Sequence, residues 1–134
     1  MPEHALSWPR LERLAVAWLK TRTSALVVTR RPEELAAAVA ERGGVVQVQR
    51  AGGADGPSLD KQLAAEVLVF ASERGELWDL VDVIESAMFD LAGDGNAEGY
   101  VDDVVESFAF ADDPHPDPSL CAATGTFTIT VRPL

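Results

Sequence analysis

The chain has 134 residues, of which 47% are hydrophobic and 25% charged, and this balance fits one folded domain with a genuine core. Its formal net charge of −11 argues against a protein that grips nucleic-acid phosphates, because such binding depends on cationic side chains. A single cysteine, Cys121, excludes an internal disulfide framework, and no apolar run is long enough to cross a bilayer. Synthesis in a reducing cytosol is therefore favoured.

The first part of the chain predicts a helix, a strand and a second helix. Ser7-Trp8-Pro9 is a helix-start signal, and apolar residues follow it at helical spacing until about Arg22. Residues 25–28 predict a short buried strand. Residues 32–42 predict a second helix with acidic residues in its first turn, and Gly43-Gly44 stops it.

The rest of the chain predicts four strands and one long helix. Strands at about residues 45–50 and 62–71 flank a glycine-rich connection, residues 51–59. The strongest helix signal covers residues 73–92. Strands at 100–111 and 126–132 follow, and a proline-rich loop at 112–118 separates them.

The predicted element order is α-β-(α)-β-β-α-β-β. Hairpins separated by a helix favour an α+β fold, in which two or three helices pack on one face of a mostly antiparallel sheet of four or five strands. We expect one domain covering residues 1–134, with projecting loops at 51–59 and 112–118.

The sequence offers no convincing catalytic, cofactor or metal site, and we therefore expect a protein that is not an enzyme. The two histidines, His4 and His115, stand near a terminus and between two prolines, where an idle exposed side chain is the simpler interpretation. Residues 94–99 imitate the first half of a calcium loop, but Val105 occupies the position that must supply a bidentate carboxylate. Residues 112–117 contain oxygen and nitrogen ligands, but the prolines among them favour a solvated loop.

Charge is divided unevenly along the chain. Residues 1–50 contain eight basic and five acidic residues, whereas the remaining residues contain three basic and seventeen acidic ones. This division indicates either a soluble acidic surface or a subunit with a basic and an acidic side, suited to head-to-tail assembly. The candidate interface residues are Arg10, Arg30 and Arg31 on the basic side, Asp102, Asp103 and Glu106 on the acidic side, and Gly52, Gly53, Asp55 and Gly56 in the glycine-rich connection.

The order and spacing of these segments resemble the tail terminator (tail completion, or minor tail) proteins of long-tailed bacteriophages that infect actinobacteria. The resemblance covers nearly the whole chain. It depends on the first helix with Leu14-Ala15-Val16-Ala17-Trp18-Leu19, the strand Leu26-Val27-Val28, the run Val45-Val46-Gln47-Val48-Gln49-Arg50 leading into Gly52-Gly53, the strand from Asp60 to Phe70, the long helix, the acidic strand and the closing Gly125-Thr126-Phe127-Thr128-Ile129-Thr130-Val131-Arg132-Pro133. Residues 33–42 depart from the family, because they read as more regularly helical than the irregular connection expected there.

The resemblance implies a structural role in the virion. Such proteins form a hexameric ring that caps the tail tube, ends its polymerisation and meets the head–tail connector, while DNA passes through the channel without specific binding. It implies assembly in the bacterial host cytoplasm, no cofactor and no membrane partner. The alternatives are another phage ring protein, such as a connector component or a tail-tube subunit, an acidic DNA mimic, or a small ligand-binding protein.

Overall fold

A computed structural model describes residues 7–55 and 61–134. Within these ranges the chain forms three helices and six strands. In chain order they are α1 (Leu11–Lys20), β1 (Leu26–Val28), α2 (Leu35–Arg42), β2 (Val45–Asp55), β3 (Lys61–Ala71), α3 (Arg74–Asp90), β4 (Asp94–Asn96), β5 (Gly99–Asp112) and β6 (Cys121–Val131).

The strands form one mixed sheet in the order β1-β2-β3-β6-β5-β4. β1 pairs with β2 in parallel, and all the other neighbouring strands are antiparallel. The predicted α+β class with a mostly antiparallel sheet is therefore confirmed, with one strand more than the four or five predicted.

The additional strand is β4, in a segment where we expected only the turn that ends the long helix. Its residues Asp94, Gly95 and Asn96 pair with the start of β5. A Cβ atom on Gly95 would stand 2.2 Å from the carbonyl oxygen of Gly99, so the two backbones approach closely. Aspartate, glycine and asparagine are depleted in strands, and the sequence therefore contains no strand signal here.

The sheet has helices on both faces. The helix face packs against α1 and α3, and it contains the alternate apolar residues of the central strands, Val46, Val48, Ala65, Val67, Val69, Phe127 and Ile129. We call the opposite face the open face. α2 covers only the part of it that lies beside β1, β2 and β3. There Leu35 and Val39 join a second, smaller cluster with Val45, Leu68 and Phe70.

Of the two or three helices predicted for one face, α1 and α3 share that face, and α2 lies on the opposite one. Because β1 and β2 are parallel neighbours, α2 is the helix of their crossover connection and must pass over one face of the sheet. The helix face beside these strands is already occupied by α1. The two buried residues of α2, Leu35 and Val39, form one narrow stripe, and a stripe does not specify which face of the sheet it will cover.

Two strands also extend beyond their predicted ends. β2 continues through Asp55, so the first five residues of the predicted glycine-rich loop belong to the β2–β3 hairpin. The pairing shifts between Arg50 and Gly52, where Gly52 has a φ of 128°, and this irregularity carries the glycines into the ladder. β6 begins at Cys121 and β5 ends at Asp112, which places the predicted proline-rich loop between these two strands.

α1 is held at both ends on the helix face. Near its C-terminal end, the indole Nε1 of Trp18 donates a buried hydrogen bond of 2.7 Å to the carbonyl oxygen of Ala87 in α3. At its N-terminal end, Pro9 lies so close to Gly99 that a Cβ atom on that glycine would stand 2.5 Å from the proline ring. Asn96 of β4 also donates to the carbonyl oxygen of Leu14. These contacts fix α1 against α3 and against the β4–β5 side of the sheet.

Replacing Leu14 with alanine should destabilise the fold strongly. Leu14 is fully buried beneath α1, so the change removes apolar contacts and leaves a cavity, and we expect a loss of about 2–5 kcal/mol in the free energy of unfolding. Urea denaturation at fixed protein concentration measures the loss. Lys20→Ala, on an exposed position of the same helix, is the control and should change stability by less than about 0.5 kcal/mol. Equal effects of the two substitutions would contradict the packing of α1 described above.

Candidate assembly surfaces

The sheet leaves two long stretches of strand edge without a neighbouring strand among the described residues. β1 covers the edge of β2 only from Val45 to Gln47, and β4 covers the edge of β5 only from Gly99 to Val101. The remaining backbone N–H and C=O groups on these edges can pair with another chain. We call the two stretches the β2 edge, residues 48–55, and the β5 edge, residues 102–112.

Beside the β2 edge lies a basic cleft of about 370 Å³. The start of α1, Thr29 and β2 form its walls. Its lining residues are Trp8, Pro9, Arg10, Leu11, Glu12, Arg13, Thr29 and Arg50. Three arginines against one glutamate make the cleft positive, and all three arginines are exposed. The backbone amide of Arg50 donates to Glu12 Oε2 over 3.3 Å, so a carboxylate occupies one amide of this strand.

The β5 edge lies in the region that exposes most of the large apolar side chains. Of the six such side chains in the described residues, five lie on β5 or α3 and the sixth is Leu134. Phe108 is 72% exposed and Val105 is 52% exposed on β5, and Phe89 is 46% exposed on α3. Val105 and Phe108 pair with Thr128 and Thr126 and so lie on the open face, whereas Phe89 lies on the helix face, and exposed apolar side chains of this kind are available for protein–protein contact. The β5 edge is therefore a better candidate than the β2 edge for a surface that another protein covers through apolar contacts.

An acidic pair lies on the helix face at the β5 edge. Glu106 of β5 contacts Glu85 of α3, and Asp82 stands nearby on the same helix. Glu106 Oε2 is buried and receives no hydrogen bond from any described residue when both carboxylates are ionised. A proton held between the two carboxyl groups provides the missing hydrogen bond. The pKa of Glu85 is raised to about 7 by the hydrogen bond to Glu106, by partial burial and by the charges of Glu106 and Asp82.

The other acidic residues predicted for the interface are engaged locally. Asp102 Oδ2 accepts a hydrogen bond of 2.9 Å from Arg132 Nε, and Asp102 Oδ1 forms an ion pair with Arg132 Nη2 at 2.6 Å. Asp103 is exposed, and its Oδ1 accepts a hydrogen bond of 2.9 Å from the backbone amide of Val104. The three predicted acidic residues therefore share one edge of the sheet, and only Glu106 points beneath α3.

The basic residues predicted for the interface do not form one patch. Arg10 lines the basic cleft, whereas Arg31 lies on the open face, where its Nε donates to Gln47 Oε1 and its guanidinium lies 4.7 Å from the centre of the Phe70 ring. Arg30 is exposed in the connection after β1. Gly52, Gly53 and Asp55 are residues of β2, and Gly56 falls outside the described ranges.

Sequence reasoning missed Arg13, Arg50, Glu85 and Phe108. Arg13 and Arg50 were counted in the basic half of the chain, but nothing in the sequence indicates that α1 would lie over β2. Phe108 follows the apolar pattern of a strand, and the register irregularities between β5 and β6 turn it outwards. Glu85 lies on the long helix one turn before Phe89, and a helical stripe alone does not name its partner on a strand.

The polar residues of the proline-rich loop, which could supply metal ligands, form local hydrogen bonds instead. His115 Nδ1 accepts a hydrogen bond from the backbone amide of Asp117, and Asp113 Oδ2 accepts one from the hydroxyl of Thr124. Hydrogen bonds from the hydroxyl and backbone amide of Ser119 lower the pKa of Asp117. In the part of the chain that the structure describes, no group of three or more histidine, cysteine, aspartate or glutamate side chains could hold a metal ion.

The described helices include none that is both long and apolar enough to span a membrane. No protein-family model and no curated protein matches the chain. One solved structure, the virion of a native gene transfer agent particle, contains a chain with a similar fold. The two chains superpose with a TM-score of 0.66 at 12% sequence identity, and the match covers 91% of this chain and 94% of that one. At this identity the similarity establishes a shared architecture.

The acidic pair should make stability fall as pH rises. The pKa of Glu85 is raised from 4.5 to about 7, so the folded chain holds a proton over a pH range in which the unfolded chain has lost it. The stabilisation is therefore complete below about pH 4.5 and is lost as pH rises through about 7. Glu85→Gln keeps a donor to Glu106 at every pH. We expect it to raise the melting temperature more at pH 8 than at pH 5.

Thermal denaturation at the two pH values, with the same protein concentration, tests this expectation. Asp79→Asn is the matched control, because Asp79 is an exposed carboxylate on the same helix. An equal change in melting temperature at pH 5 and pH 8 for Glu85→Gln would show that the two carboxyl groups do not share a proton.

Proposed function

We propose that this chain is a structural protein of a virion that forms a closed ring at the end of a phage tail tube. In this role the ring ends polymerisation of the tube and joins the tail to the head–tail connector. The role includes no catalytic step and no cofactor. The observation that carries the proposal is the similarity of nearly the whole fold to a chain from the virion of a gene transfer agent.

Two further features support a ring of identical subunits. First, the order and spacing of the segments resemble phage tail terminator proteins. Second, the described part of the chain leaves two different sheet edges uncovered, a basic one beside α1 and an acidic, partly apolar one beside α3. Contacts that join one surface to a different surface on the next copy generate rings when the rotation between subunits closes.

Electron microscopy of the purified full-length chain tests the proposed role. We expect closed rings of one diameter, with a mass by light scattering that corresponds to a small whole number of subunits, six by the family resemblance. Long tubes formed by the protein alone would instead indicate a tail-tube subunit, because a terminator stops after one ring. A monomer at every concentration and in the presence of tail tubes would contradict the proposal.

Subunit association should also depend on salt. Opposite charges across an exposed interface attract less strongly as ionic strength rises, since the Debye length falls from about 10 Å at 0.1 M to about 3 Å at 1 M. We expect the proportion of assembled protein at a fixed concentration to fall between 0.1 and 1 M NaCl, as measured by sedimentation velocity. An assembled proportion that stays constant over this range would show that charge complementarity contributes little.

A further inference from the structure

We propose that the β5 edge of one copy docks against the β2 edge of the next copy, with Glu85 and Glu106 facing the arginines of the basic cleft. This inference rests on the proposed ring and names the two surfaces that meet in it. The occupant of the basic cleft is thus a second copy of this chain.

The two edges are compatible as strands. Residues 103–106 of β5 keep an uninterrupted register with β6, between irregularities on either side. Residues 48–50 of β2 keep a regular register with β3 before the shift at Gly52. Each edge therefore offers a short, regular run of backbone that can add to a neighbouring strand, and the irregularities limit pairing to these runs.

The charges lie on matching sides of the sheet. Arg50 pairs with Ala65 of β3, and Glu106 pairs with Phe127 of β6, so both belong to the helix face. Arg13 and Glu85 project from α1 and α3, the two helices that pack on that face. When one sheet continues edge to edge into another, each face continues into the same face. The basic cleft and the acidic pair are then brought together without turning either subunit over.

The neighbouring arginines also provide what the acidic pair lacks within one chain. The buried Glu106 Oε2 has no donor among the described residues unless Glu85 holds a proton. Because Glu106 Oε2 itself is buried, a guanidinium from the next copy acts on the accessible part of the pair, where its N–H donors and positive charge favour two adjacent ionised carboxylates. Phe89, one turn after Glu85 and 46% exposed, would lose its contact with water in the same interface.

The weak carboxylate cap on the β2 edge is consistent with an exchangeable partner. The bond from the Arg50 amide to Glu12 is long, at 3.3 Å, and exposed to solvent. A carbonyl oxygen of an incoming strand can replace it at small cost. In the free subunit the Glu12 carboxylate accepts the hydrogen bond from the Arg50 amide, and in the assembled one a carbonyl oxygen of the next copy accepts it instead.

Charge reversal on each surface tests the contact. Arg13→Glu combined with Arg50→Glu makes the cleft acidic, and Glu85→Lys makes the acidic pair partly basic. We expect each variant to raise the concentration needed for assembly by roughly tenfold or more in sedimentation velocity, because like charges then face each other. Lys20→Glu and Asp79→Lys are matched controls on α1 and α3 outside the two surfaces, and they should assemble as the unmodified chain does.

A mixture of the two charge-reversal variants is the decisive experiment for the proposed contact. In an equimolar mixture of the two variants every contact can join opposite charges in an alternating ring, so assembly should return. Arg10→Glu serves as a second cleft variant, and circular dichroism verifies that each variant is folded. If the unmodified chain forms rings that neither reversal weakens, or that mixing does not restore, this inference is wrong and the proposed function stands. If the unmodified chain never assembles, both are wrong.

Discussion

The antiparallel pairing of β3 with β6 organises the core of the molecule. Eleven consecutive residue pairs join the two strands without a register shift. Their apolar residues alternate between the faces, so that one face holds α1 and α3 and the other holds α2. The sheet grows outwards from this pair, and among residues 7–55 and 61–134 no further strand covers the ends of β2 and β5. The free edges are thus a direct consequence of how the core is built.

A protein with two free strand edges must limit indiscriminate pairing, and this chain does so with carboxylates and register shifts. Glu12 occupies the amide of Arg50 on one edge, and Asp103 occupies the amide of Val104 on the other. Three irregularities interrupt the pairing of β5 with β6 and bend the outer strand. Placing two carboxyl groups, Glu85 and Glu106, against each other adds a local repulsion that a cation or a proton relieves.

Fold similarity and surface chemistry contribute separately to the functional conclusion. A TM-score of 0.66 over most of both chains identifies the architecture, but folds host many functions, and at 12% identity most residues of the two chains differ. The case for a ring subunit therefore depends also on what this chain presents, namely two unlike edges, opposite charges and exposed apolar residues concentrated on β5 and α3. Two unlike surfaces on one chain are compatible with the head-to-tail contacts that generate rings.

Periodicity and composition are local properties, and they were enough to predict the α+β class, the long helix, the last strand and the division of charge. They did not determine β4, whose polar residues lack strand propensity, or the face that α2 covers, because a short apolar stripe fits either face. Sequence spacing placed Arg10 and Arg31 in one region, and the fold separates them to opposite faces of the sheet. Only the tertiary structure brings Arg13 and Arg50 together and sets Glu85 against Glu106. Such pairings depend on strand order and helix placement, which the whole core decides at once.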